Sequence, residues 1–88
     1  MDKSLIPAIV LIEPKLAENM GTAARAMMNC GLTDLRLVRP HEEPLAPRAI
    51  AAASGADAIL HQARVFATTG EAIADLQRVY ATTGRNRY

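Results

Sequence analysis

The chain has 88 residues, with ten Lys and Arg against nine Asp and Glu and a formal net charge of +1. That length holds one small domain or part of one, and the charge balance excludes a whole-chain basic field, so any nucleic-acid contact must come from a local patch. Half the residues are hydrophobic, one is cysteine, and the aromatics are Phe66, Tyr80 and Tyr88 alone, which excludes disorder, an intrachain disulfide and a Cys-based zinc site; no apolar run approaches the ~20 residues of a membrane span, and the chain reads as cytoplasmic.

Residues 8–12, Ala-Ile-Val-Leu-Ile, are a β-branched apolar run closed by Glu13-Pro14, and they predict a strand buried on both faces of a parallel sheet. Glu18-Asn19 offers an N-cap for a helix through Ala23, Ala24, Ala26, Met27, Met28 and Cys30, with Cys30 expected as a small core residue at its end. Gly31 stands where a helix C′ glycine belongs. Residues 35–38 predict a second strand, stopped by Arg39-Pro40. The stretch 41–47 is a polar, proline-punctuated loop in which Glu42-Glu43 is expected to be solvated. Pro47 suits the first turn of a helix to about Ala53. After Ser54-Gly55, residues 56–60 predict a helical turn and 63–67 a third strand. Thr69-Gly70-Glu71 opens a helix with Ile73 and Leu76 facing inward, and residues 79–82 make a fourth strand.

This alternation predicts an α/β fold with a parallel sheet of about four strands, each crossover covered by a helix. A doubly wound sheet binds its ligand outside the carboxyl ends of its strands. The chain stops six residues past Thr82, so residues 1–88 read either as an unusually minimal fold or, as preferred here, as the front portion of a longer domain.

The first strand-to-helix junction carries the candidate chemistry. Asn19 and Arg25 are separated by six residues, about 600° of helix, and share no face by spacing alone. With Asn19 as the cap, both border one cleft. Gly21 permits close backbone approach near a helix start, where free N–H groups favour an anion such as phosphate, although no nucleotide-binding glycine motif is present. Arg78, Arg85 and Arg87 lie in a terminal stretch free of carboxylates, suited to holding phosphate, with Tyr88 able to stack on a base. His41 and His61 are isolated, lack metal-ligand spacing, and are expected on the solvated surface.

The string Asn19-Met20-Gly21-x-x-Ala24-Arg25-Ala26-Met27, then Gly31-Leu32-Thr33-x-Leu35-x-Leu37-Val38-x-Pro40, resembles motif 1 and its sequel in the SPOUT RNA methyltransferases, nearest to the SpoU-type branch. Val10-Leu11-Ile12-Glu13 and Ala81-Thr82-Thr83-Gly84-Arg85-Asn86-Arg87 are similar to that branch in order and spacing. The resemblance implies methyl transfer from S-adenosylmethionine to a ribose 2′-hydroxyl of tRNA, in the anticodon loop, by a homodimer. It implies that Arg25 and Asn19 serve catalysis, that Thr82, Thr83 and Gly84 line the cofactor pocket, and that Arg85 and Arg87 meet RNA; the residues themselves lead us to expect no metal and no membrane partner. It further implies a C-terminal trefoil knot that residues 1–88 do not contain, so that this segment by itself is expected to be inactive. A non-catalytic RNA-binding or dimerisation module is the competing expectation, and a small flavodoxin-like receiver or nucleotide-binding domain a more distant one.

Overall fold

A computed structural model of the chain describes residues 7–75 and 80–83. The first apolar run forms β1 (Ile9–Ile12), followed by α1 (Ala17–Asn29), β2 (Leu35–Val38), α2 (Pro47–Ala53), α3 (Asp57–Gln62), β3 (Arg64–Phe66), α4 (Thr69–Ile73) and β4 (Tyr80–Thr83). All pairings are parallel, in the order β3-β2-β1-β4. The predicted α/β fold is the one observed. The fourth strand sits one residue later than its spacing suggested, and Leu76 and Arg78 lie outside the described residues.

Alternation along β1 and β2 builds two cores. Ile9, Leu11, Leu35 and Leu37 face α1, α2 and α3, where Met20, Ala24, Met27, Ala49, Ala53, Ile59 and Leu60 complete one cluster. Val10 and Val38 face the other way and meet Ala72 of α4, with Ile12, Phe66 and Ile73 packed alongside. Both faces of the two central strands are therefore covered, which is why they read as unbroken apolar runs.

Gly31 ends α1 as expected. At φ 72° it donates its N–H to Met28, while Leu32 donates to Met27 at 2.8 Å; these are the two bonds of a Schellman motif. Cys30, expected in the core, is exposed, because the helix cap turns it away from the sheet. Pro47 occupies the start of α2 as predicted.

Gly21 is buried between α1 and α2. A Cβ there would stand 2.1 Å from the Ala49 carbonyl oxygen, 2.8 Å from Ala52 Cβ and 2.9 Å from Ala53 N. The close approach anticipated at Gly21 is thus made by a neighbouring helix and not by an anion. Glycine and a run of alanines let the two helix backbones come nearer than larger side chains allow.

Candidate functional site

The chain runs outward through β1, β2 and β3, then returns to the far side of β1 to form β4. Strand order therefore reverses between β1 and β4, and the crevice outside their carboxyl ends is where such a sheet accommodates a ligand. Ile12 pairs with Thr83 and Leu11 with Thr82. The backbone of the Thr82-Thr83 pair thus lies beside the end of β1, next to Glu13. Gly84, Arg85 and Arg87 lie outside the described residues.

Two non-glycine residues at this edge have left-handed backbones, Glu13 at φ 51° and Arg39 at φ 46°. Each directly follows a strand, and they bond to each other: Arg39 Nη2 donates to Glu13 Oε2 at 2.7 Å, while Nη1 donates to the Ala67 carbonyl at 2.7 Å. One guanidinium thereby joins the segments that follow β1, β2 and β3. Backbone bonds run the same way, from Glu13 N–H to the Val38 carbonyl at 2.7 Å and from Arg39 N–H to the Phe66 carbonyl at 3.0 Å.

Helix α1 starts from this edge, three residues earlier than a cap at Asn19 would place it. Leu16 occupies the N-cap position and supplies no side-chain bond. The cap comes from 25 residues away: Ala17 N–H donates to Glu42 Oε2 at 3.0 Å. Glu42, expected to be merely solvated, thus holds the anion position at the helix start, where a carboxylate complements the dipole. Its neighbour His41 is exposed, and its backbone N–H donates to the Pro14 carbonyl at 3.0 Å.

Asn19 is consequently inside the first turn of α1 and not its cap. It and Arg25 are both exposed, and among the described residues neither side chain has an ion-pair partner within the molecule. About 600° of helix separates them, so they sit on different lines of α1. Asn19 lies nearer the sheet edge, and Arg25 projects about two turns along the helix, its cation unpaired among the described residues.

Further along the same edge, the 39–47 loop and the end of β3 enclose an open cleft of about 1000 Å³ whose walls include Leu45, Val65 and Phe66. It lies on the β2–β3 side, away from the strand-order reversal, and neither Asn19 nor Arg25 borders it. Strand order by itself makes the carboxyl ends of β1 and β4 the candidate site. His61 stands 4.0 Å from Asp57 within α3, and no group of three or more potential metal-binding side chains occurs among the described residues. No described helix is long and apolar enough to cross a membrane.

Arg36 is a charged residue that sequence reasoning passed over. It is 3% exposed and points from β2 toward α4. Nε and Nη2 donate to Asp34 at 3.1 and 2.8 Å, Nη1 and Nη2 to Asp75 at 2.5 and 3.2 Å, and Nη1 to the Ala72 carbonyl at 2.8 Å. All five guanidinium N–H groups are thereby used. The hydrogen bond from Arg36 holds the carboxyl of Asp34 below its ordinary value, against the opposing effect of burial, and holds Asp75 low too. The carboxylates in turn raise the Arg36 pKa. A lone arginine between Leu35 and Leu37, two residues after Asp34, is the signal that a buried, paired cation leaves in sequence.

Comparison with known proteins accords with this fold. The SpoU rRNA Methylase family profile matches residues 7–87. The chain is 46% identical over 65 residues to an uncharacterized tRNA/rRNA methyltransferase, LasT, of Escherichia coli, covering 72% of this chain and 27% of that protein. It is 44% identical over 63 residues to the tRNA (cytidine/uridine-2′-O-)-methyltransferase TrmJ of Salmonella typhimurium, covering 72% and 26%. Among solved structures, TrmJ from Z. mobilis superposes with a TM-score of 0.81 at 59% identity, covering 94% of this chain and 37% of that one. A probable methyltransferase from Bordetella pertussis gives 0.79 at 34% identity, covering 84% and 45%. The chain thus spans about a quarter of the length of the curated relatives it matches.

Proposed function

The chain belongs to the SpoU rRNA methylase family, and from that premise we propose that its residues form part of a methyltransferase that transfers a methyl group from S-adenosylmethionine to a ribose 2′-hydroxyl in the anticodon loop of tRNA. The observation that carries this reading is the reversal of strand order at β1 and β4, with the helix bearing Asn19 and Arg25 starting at the same edge. The names of the relatives, tRNA methyltransferases among them, support the substrate class.

When bound, S-adenosylmethionine supplies a methyl group activated by its sulfonium. The backbone of Thr82 and Thr83 beside the end of β1 fits one wall of a pocket for it, and the family motif assigns Gly84 to the same pocket. The guanidinium fork of Arg25 is better suited to fixing an RNA phosphate, and so the adjacent ribose, than to accepting a proton. Asn19 shapes the site nearer the sheet edge, and Arg85 and Arg87 bind tRNA phosphates. The working form is a cytoplasmic homodimer, in which the exposed Arg25 reaches toward the cofactor of the second subunit.

The test uses the native reading frame that carries these residues, with tRNA and methyl-labelled S-adenosylmethionine. Label is expected on a ribose oxygen in the anticodon loop, and Arg25→Ala is expected to abolish turnover while leaving cofactor binding intact. Label on a base overturns the reaction, and full turnover of Arg25→Ala overturns the role of that residue.

A further inference from the structure

Residues 39–42 touch the β1–α1 junction at successive points. Arg39 bonds the Glu13 side chain, His41 N–H bonds the Pro14 carbonyl, and Glu42 bonds the Ala17 N–H. The junction so gripped is poorly determined by its own sequence. Glu13 has a left-handed backbone, which a Cβ-bearing residue adopts only when its surroundings impose it. Helix α1 lacks a local side-chain cap, whereas the short α4 caps itself through Thr68, whose Oγ1 accepts from Glu71 N–H.

We propose that residues 39–42 are a positioning strap: Arg39, acting through Glu13, and Glu42, acting through Ala17, hold the β1–α1 junction in the shape that presents Asn19 and Arg25 to substrate. The strap rests on the reading above, since it assigns these two residues to the reaction that Asn19 and Arg25 serve. Its anchorage is on the sheet itself. Arg39 also donates to the Ala67 carbonyl, so movement of the junction has to break bonds to the segment that follows β3. Asn19 is two residues beyond the capped Ala17, and a small change in the start of α1 is passed to it directly and to Arg25 along the rigid helix.

The experiment compares Glu42→Ala, Glu42→Gln, Arg39→Ala and Arg39→Lys in the native reading frame, at a temperature where circular dichroism shows each to be folded. Glu42→Ala is expected to lower kcat about 10- to 100-fold, the scale of a sub-ångström to ångström misplacement of reacting groups, with the KM for S-adenosylmethionine little changed. Glu42→Gln restores kcat, because an amide oxygen still accepts from Ala17 N–H. Arg39→Lys fails to restore what Arg39→Ala loses, because one ammonium does not reproduce a fork spanning Glu13 and Ala67. Unchanged kcat in Glu42→Ala, equal loss in Glu42→Ala and Glu42→Gln, or a lowered Tm with kcat intact each overturns the strap. A readout independent of activity separates this proposal from the one it rests on. The amide resonances of Ala17 and Asn19 are expected to shift in Glu42→Ala and return in Glu42→Gln. If the wild-type protein methylates no tRNA, the proposed function fails, and fixed Ala17 and Asn19 resonances in Glu42→Ala overturn the strap separately.

Discussion

The two faces of the sheet are held by different physics. Toward α1, α2 and α3 the contacts are apolar and close, down to the glycine that lets Ala49 approach the α1 backbone. Toward α4 the buried apolar cluster shrinks to Val10, Val38 and Ala72, and a saturated arginine ties the helix end down. A helix of five residues offers little apolar area. A cation with every donor paired adds directional bonds where the hydrophobic contribution is small. One face thus depends on shape, the other on charge state.

That contrast can be broken hardest at Gly21. Gly21→Ala gains about 1 kcal/mol of helix propensity, but its Cβ collides with backbone atoms of α2 that have no rotamer through which to yield. We expect a net loss of about 3 kcal/mol, read as a lower denaturant midpoint at unchanged slope. On the opposite face, Arg36→Met should cost about 2 kcal/mol, less than a fully enclosed ion pair would, because Asp34 and Asp75 retain 34% and 66% side-chain exposure and recover water.

Acid sharpens the contrast. Asp34 and Asp75 titrate below their ordinary value in the folded chain, so the stability they contribute is complete above the unfolded carboxylate pKa and is lost as pH falls through the lowered one. Denaturation at stepped pH should therefore show stability falling below about pH 4. Arg36→Met should flatten that fall, whereas Gly21→Ala should leave its shape unchanged. The raised pKa of Arg36 contributes stability that is lost only in strong alkali, outside the range of such a titration.

Smaller effects are expected at the end of α1. Gly31→Ala meets no neighbouring atom, but it must adopt a φ of 72° and should cost about 1 kcal/mol, with Gly31→Asn costing less. Cys30→Ala should fall within about 0.5 kcal/mol of the parent, since the thiol is exposed; a larger loss would show that the cap region contributes more to the α1 face than its geometry indicates.

Legibility followed the range of the interaction. Pro47 at the start of α2 and Gly31 after α1 were readable because each satisfies a local demand, a fixed φ or a positive one. Asn19 was misplaced as a cap for a related reason: a polar residue before an alanine-rich run is a good local cap, but Glu42 took that role from a distant loop, and the helix started earlier. Cys30 was misplaced because its residue type favours the core while the Schellman turn exposes it. Of the candidate site, Asn19 and Arg25 are named by the motif they share with the family, whereas Arg39 and Glu42 carried no local mark. Each stands in a loop where an isolated charge reads as solvated.

The sequence by itself determined the order of elements, the two-sided burial of β1 and β2, and the motif that places the chain in its family, because these depend on periodicities and backbone preferences spanning only a few residues. Tertiary structure alone decided that β4 joins the far side of β1, that the space at Gly21 belongs to α2, that α1 is capped from the 39–47 loop, and that Arg36 is neutralised from both sides. The longest-range contacts behind those outcomes join residues 25 positions apart at Ala17 and Glu42, 39 at Arg36 and Asp75, and 71 where Ile9 pairs with Tyr80, and there packing of the sheet and its helices selects among partners that local patterns leave equivalent.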